Sequence, residues 1–236
     1  MGQMHTPPEP GGSSLPLKGM RKMIAAKMSE SLQTAAQLTH HAECELTALQ
    51  ARRAALKAAG SQASLQDLLL HAIVQTLGEH PALNATLQDN LITRHAAVHL
   101  GLAIPLPDDL LVAPALFDAE HLDPDGLAGA RRALTDKALA GKLSVRELTG
   151  ATVTVSNLGL SRVHYFTPIL NVPQVAIVGI GGVQQRLQRG ADGSLVERDF
   201  IGLSLTFDHR AVNGGPAAAF LDALCERIEA GGQAGS

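Results

Sequence analysis

The segment Leu203-Ser-Leu-Thr-Phe-Asp-His-Arg-Ala-Val-Asn-Gly214 changes its period part-way along. Leu203, Leu205 and Phe207 alternate with polar residues, the pattern of a strand with one buried face. A polar turn carrying His209 and Asn213 follows. Gly214-Gly215-Pro216 then opens a stretch in which Phe220, Leu221, Leu224 and Ile228 recur at helical spacing. The segment therefore reads as a strand, a tight turn and a helix over about 216–230. Outward from it, Val98, Leu100, Leu102 and Ile104 alternate, as do Val153 and Val155, and the apolar run Val175–Ile180 suits a buried central strand. Helical spacing governs Met20, Met23, Ile24, Met28 and Leu32. It governs Leu65, Leu68, Leu69, Ile73 and Leu77 behind the capping pair Ser64 and Asp67, and a third stretch at about 125–142. Helices and strands interleave, so the class is α/β or α+β.

The chain has 236 residues, enough for one large domain or two small ones. Residues 1–14 are rich in Gly, Pro and Ser and read as a flexible leader or linker remnant. The texture is globular over 15–230, and 231–236 reads as a tail. An apolar content of 45% with 17% charged residues excludes a fully disordered chain. A net charge of −3 gives no basic footprint for nucleic acid or a membrane surface, and 3% aromatics leave few stacking platforms for single strands. No apolar run reaches the length of a bilayer span, and the first residues lack the apolar block of a signal peptide. The expected location is cytoplasmic. Cys44 and Cys225 are too few for a disulfide framework and, in helical or flanking text, read as small buried hydrophobes.

Several motif matches fail on context. Gly179-Ile-Gly-Gly-Val-Gln184 puts glutamine where a dinucleotide fingerprint needs its third glycine, and no helix pattern follows. His95 and His99 have the spacing of a zinc pair. His99, however, sits in an alternating stretch where the two rings would not share a helical face, so no metal site is expected. Asp136-Lys137-Ala138 matches a lipoate-bearing tripeptide but falls inside a helical pattern. Two sites survive. His209 stands at a strand end, where an imidazole with a pKa near working pH suits a general base. Ser156 ends the alternating strand Thr152-Val-Thr-Val-Ser156, ahead of a turn glycine. On the residues alone each polar side chain reads sooner as a turn or cap residue than as a catalyst, and Asn213 would serve the turn before the helix.

A resemblance changes that balance. From Leu15 to about Ala230 the chain resembles the catalytic core of the dihydrolipoamide acyltransferases, the E2 components of 2-oxo acid dehydrogenase complexes. Four colinear stretches carry it: PLKGMRKMIAAKMSESLQTA (16–35), LSVRELTGATVTVSNLG (143–159), FTPILNVPQVAIVGIGG (166–182) and SLTFDHRAVNGG (204–215), the last similar to a DHRxxDG signature. The resemblance implies a chloramphenicol acetyltransferase-like α/β fold: an α+β two-layer sandwich, its mixed sheet covered by helices, that serves as a trimer building block. It implies acyl transfer between dihydrolipoamide and coenzyme A, with acetyl or branched-chain acyl groups suggested by Ser156. His209 would be the general base and Ser156 the oxyanion donor, facing each other across subunits, with Asn213, Arg21, Asp208, Arg210 and Gly214 supporting the histidine loop. Homotrimers would assemble into 24- or 60-subunit shells that work with lipoyl domains and with the E1 and E3 components. No metal, nucleic acid or membrane partner is implied. Lipoate would come from a lipoyl domain not visible in this chain, which is then an excised core or a free-standing relative.

The principal departure is Asn213, where the signature has aspartate. In the resembling enzymes that carboxylate pairs with the arginine matched by Arg21. An asparagine cannot neutralise a guanidinium, and stranding one charge of a buried pair costs about 3–5 kcal/mol. A weakened support for the histidine loop is therefore expected. A shell subunit of little activity, or a small-molecule acetyltransferase of the same fold, is the competing reading.

Overall fold

The computed structural model describes residues 15–190 and 192–232, so the leader and most of the tail lie outside the described residues. In chain order the elements are α1 (Gly19–Thr34), β1 (Gln37–Glu45), α2 (Thr47–Ala58), α3 (Leu65–Glu79), β2 (Ala85–Gln88), β3 (Leu91–Arg94), β4 (Leu100–Leu102), β5 (Ile104–Leu106), β6 (Leu110–Val112), β7 (Ala115–Leu116), α4 (Pro124–Leu139), α5 (Val145–Thr149), β8 (Val153–Asn157), β9 (Ala176–Arg189), β10 (Leu195–Asp208) and α6 (Gly214–Glu229). Six strands form one mixed sheet in the order β1-β10-β9-β8-β4-β7. The β4–β8 and β8–β9 pairs are parallel and the others antiparallel. Two small hairpins, β2–β3 and β5–β6, stand apart from it. The two-residue β2–β3 turn holds Asp89 and Asn90 at positive φ, the backbone that a tight hairpin demands, and the three-residue β5–β6 loop holds Asp108 and Asp109 at positive φ.

Alternation along the strands gives the sheet two unlike faces. Leu100, Val153, Val155, Val178, Ile180, Leu203, Leu205 and Phe207 face a continuous core with α3 and α6, whose Ile73, Phe220, Leu224 and Ile228 are fully buried. The helices start where local chemistry satisfies their free amides. Ser64 and Asp67 form a reciprocal capping box on α3, Ser144 and Glu147 another on α5, and Asp123 caps α4 with Pro124 at its first position. Ion pairs tie the helices together: Arg131 donates to the fully buried Asp67 at 2.6 Å, and the buried Arg227 donates to the exposed Glu79 at 2.6 Å and to Thr76 at 3.1 Å. Removing Arg131 would strand the buried Asp67 charge, a loss of about 3–5 kcal/mol.

The second face carries small and polar side chains: Gln37, Thr39, Ser204, Thr206, Gly179, Ser156, Thr154, Thr152 and Gly101. An extended strap, residues 161–174, crosses it. Phe166 N–H donates to Ser204 Oγ at 3.4 Å, and Leu170 N–H to Gln37 Oε1 at 3.1 Å. At the far end Asn171 Nδ2 donates to Thr154 Oγ1 at 3.2 Å. The strap lies so close that a Cβ on Gly181 would stand 1.9 Å from the His164 carbonyl oxygen. The glycines of GIGG therefore make room for a crossing chain, and the segment is a strand with no nucleotide turn.

Three expectations need correction. Cys44 lies in β1, not in helical text, although it is buried as expected. The helical spacing in α1 does not mark a buried face: Met20, Met23 and Leu32 are exposed, and only Ser31 is fully buried, with its hydroxyl on the Leu170 carbonyl. Strand β1 and helix α2 are elements that the periodicity did not announce. Among the described residues no helix is long and apolar enough to cross a membrane.

Candidate active site

His209 follows the last residue of β10 and is exposed. Its backbone is fixed, because its N–H donates to the Ala36 carbonyl at 2.8 Å and Ala211 and Val212 N–H both return to the Asp208 carbonyl. Asp208 is nearly fully buried beneath this turn. Its carboxylate accepts from Arg210 Nη2 at 2.6 Å, from the Arg210 backbone at 3.0 Å and from Ala36 N–H at 3.3 Å. Burial alone would push this carboxyl up, but the bonds from Arg210 and the backbone outweigh it and hold it below the usual carboxylate range. Asp208 and Arg210 thus clamp the histidine turn.

Asn213 occupies the N-cap position of α6, yet its side chain makes no capping bond and is exposed. Gly214 begins the helix behind it. The expected partnership with Arg21 is not present in the single chain. The Arg21 guanidinium donates instead to the Asp108 carbonyl, tying α1 to the β5–β6 hairpin. Arg21 is exposed, so the cost argued for a stranded buried cation does not arise.

Ser156, half-buried, is the second-to-last residue of β8 and lines a cavity of about 700 Å³ between the polar sheet face, α1, the β5–β6 hairpin and the strap. Among the described residues its hydroxyl has no hydrogen-bond partner, so the proton is free for a ligand. Thr152 and Thr154 share its face at alternate positions. Thr154 donates to Gln174 Oε1 at 2.7 Å and Gln174 Nε2 to the Ala151 carbonyl at 3.0 Å, which makes a rigid amide and hydroxyl wall with Asn171. His95 and His99 both line this cavity, although their spacing did not suggest a common surface. His95 Nε2 lies 3.1 Å from Thr86 Oγ1, and burial, with His99 nearby, holds its pKa below the ordinary histidine value. His99 Nδ1 accepts the Asp118 N–H at 3.2 Å. No group of three or more potential metal ligands occurs among the described residues. The wall residues Thr154, Asn171 and Gln174 were not singled out from sequence. Only the hydroxyls at 152, 154 and 156 left a signal there, through their alternation.

Within one chain His209 and Ser156 are far apart. Ser156, Gly179 and Ser204 lie opposite one another across β8, β9 and β10, and His209 is five residues beyond Ser204. Strand rise and spacing put the two Cα atoms roughly 15–20 Å apart. The side chains also diverge: Ser156 faces the strap, whereas the His209 ring lies beside Phe207, which belongs to the core face. A single copy does not bring them onto one substrate atom.

Residues 9–234 match the family of 2-oxoacid dehydrogenases acyltransferase (catalytic domain). The chain is 39% identical over 227 residues to the dihydrolipoyllysine-residue acetyltransferase component of the acetoin cleaving system of Bacillus subtilis, with 94% of this chain and 56% of that protein covered. It spans about half the length of the curated relatives it matches. Its structure is similar to that of Azotobacter vinelandii dihydrolipoamide acetyltransferase, at 29% identity and a TM-score of 0.84 over 95% of this chain and 97% of that one. In that protein a serine, a histidine and an asparagine were investigated for their role in the catalytic mechanism. The cubic core of a pyruvate dehydrogenase multienzyme complex matches with a TM-score of 0.84 at 29% identity, covering 95% of this chain and 97% of that one. The likeness to chloramphenicol acetyltransferase, a TM-score of 0.56 at 16% identity over 86% of this chain and 94% of that one, is one of fold. The chain belongs to the family of 2-oxo acid dehydrogenase acyltransferase catalytic domains and has the chloramphenicol acetyltransferase-like fold.

Proposed function

We propose that this domain transfers an acyl group, acetyl before branched-chain, between dihydrolipoamide and coenzyme A, at a site made of His209 from one copy and Ser156 from another. The observation that carries this reading is the pairing of two half-sites that cannot meet in one chain. One is an exposed imidazole on a clamped turn, and the other a free hydroxyl in a cavity. His209 takes the proton of the attacking thiol, and the thiolate adds to the thioester carbonyl. Ser156 donates to the oxyanion that forms, and collapse releases the other thiol, which recovers the proton from His209. A thiol of pKa near 8.5 needs only the roughly 10²–10⁴-fold that a placed imidazole provides. One oxyanion donor contributes about 3–4 kcal/mol. The cavity suits a long thiol arm: Ile24, Met28 and Ile169 give it apolar walls, Asn171 and Thr86 give it polar contacts, and no carboxylate lines it.

Asn213 stands in this reading as a part of the site. The histidine and the asparagine investigated in the Azotobacter vinelandii enzyme are four positions apart, the spacing of His209 and Asn213. That likeness favours an active transferase over an inert shell subunit. Copies assemble as homotrimers, closed rings in which every copy both gives a histidine and receives a serine, and the trimers build a larger shell. Lipoyl domains carry the dithiol, and the E1 and E3 components charge and reoxidise it in a cytoplasmic complex. The test is acyl transfer from acetyl-CoA to free dihydrolipoamide by the wild type and by His209→Ala. Turnover in the wild type that falls by at least 100-fold in His209→Ala supports the reading. Equal turnover in both, or none with acetyl, branched-chain and succinyl donors, overturns it.

A further inference from the structure

We propose that His40 is a positioning residue for the general base, its imidazole wedged between Phe207 and Gly214 so that it braces both ends of the turn that carries His209. The inference rests on the reading of His209 as the base. His40 lies on β1 opposite Leu205, half-buried, on the face that Phe207 shares. Its ring meets Phe207 edge to face, with centroids 5.0 Å apart and planes at 78°. A Cβ at Gly214 would stand 3.6 Å from His40 Cε1, so the ring lies beside the first residue of α6, where a side chain there would meet it. One side chain therefore packs on the residue before the Asp208–Asn213 turn and stands beside the residue after it.

The backbone of the turn is fixed by the amides of His209, Ala211 and Val212, but none of these bonds reaches the imidazole of His209. Among the described residues that imidazole makes no hydrogen bond, and its aromatic neighbour is Phe207, at 5.8 Å between centroids. The aim of the base thus depends on how firmly Phe207 and the start of α6 are held, and His40 packs on the first and stands beside the second. Neither nitrogen of His40 has a hydrogen-bond partner among the described residues, so the ring acts by shape, and phenylalanine is its conservative replacement. A displacement of about 1 Å at a reacting group can cost up to about 100-fold in rate.

His40→Ala, His40→Phe and His209→Ala are compared in two measurements on the assembled protein. The first is acyl transfer from acetyl-CoA to dihydrolipoamide, with kcat and KM separated. The second is amide hydrogen exchange at Ala211 and Val212. The expected results for His40→Ala are a kcat lowered about 10-fold or more, both KM values within about twofold, and faster exchange at the two amides. His40→Phe keeps kcat within about threefold of the wild type and restores the protection, since ring packing is retained. Wild-type kcat and exchange in His40→Ala overturn the proposal. So does a His40→Phe protein as slow as His40→Ala, which would make the role polar. Turnover that survives in His209→Ala removes the base assignment instead, and the exchange measurement then still decides whether His40 holds the turn.

Discussion

Replacing Gly181 by alanine should damage the fold through the strap, at a site remote from His209 and just past the end of β8. An added Cβ would stand 1.9 Å from the His164 carbonyl oxygen, 2.7 Å from the His164 carbonyl carbon and 3.1 Å from the Val163 oxygen. All three are backbone atoms, so no side-chain rotation relieves the contact. Normal carbon–oxygen separation requires the strap to retreat by roughly 1.4 Å. That movement pulls on the Gly182 N–H bond to Val163 at 2.7 Å and on the Phe166 N–H bond to Ser204 at 3.4 Å. Overpacking of about 1–3 kcal/mol, with about 1 kcal/mol for each weakened bond, gives about 3–5 kcal/mol. In a domain of this size the melting temperature then falls by roughly 6–20 °C. Phe166, Pro168 and Ile169 wall the Ser156 cavity, so transfer activity falls as well. The assay is thermal unfolding at matched protein concentration, with Gly78→Ala as the control. An added Cβ there meets nothing within 4 Å on an exposed helical turn, and the exchange is neutral or stabilising by up to about 1 kcal/mol. A Gly181→Ala protein that melts within about 2 °C of the wild type would refute the strap as the reason for the glycines.

Three further outcomes are expected. Ser156→Ala lowers transfer by about 10²–10³-fold and leaves the melting temperature unchanged within about 2 °C, because the hydroxyl has no hydrogen-bond partner among the described residues; steady-state kinetics and unfolding together check this. Asp208→Asn costs about 2–3 kcal/mol, towards the low end for a buried pair because the Arg210 head is half in solvent. The folded Asp208 carboxyl titrates below its free value, so its contribution is complete above about pH 4 and is lost as pH falls through the folded value; unfolding against pH should show a shallower acid limb in the variant. Arg21→Gln costs less than about 1 kcal/mol by chemical denaturation and leaves amide exchange in the His209 turn unaltered, since an exposed arginine bonded to one carbonyl is a minor anchor.

The strand, turn and helix around His209 were legible because one alternating run passes directly into one helical run. Ser64 with Asp67 was legible for a similar reason, since a capping box is complete within four residues. Strand β1 was not, because Gln37, Thr39 and His41 face the polar side of the sheet while His40 and Ala42 give only a weak apolar contrast. Helix α2 was hidden by a run of alanines and charged residues with a single fully buried leucine, Leu49. The meaning of GIGG lies in a chain that crosses from elsewhere, and no local window contains it. For α1, periodicity was read as burial, but within the single chain that face is largely open. Residue spacing also gave no sign that Ser156 and His209 stand apart on unlike faces, because that follows from the order of the strands in the sheet.

The shared site is the central claim, and subunit mixing tests it most directly. His209→Ala and Ser156→Ala are each purified alone and then co-expressed in equal amounts so that mixed oligomers form. A site built from two copies is intact wherever a subunit with His209 meets one with Ser156, so the mixture should recover about one quarter of wild-type transfer while each variant alone stays near zero. Activity in the co-expressed protein no higher than the mean of the two separate variants would contradict the account.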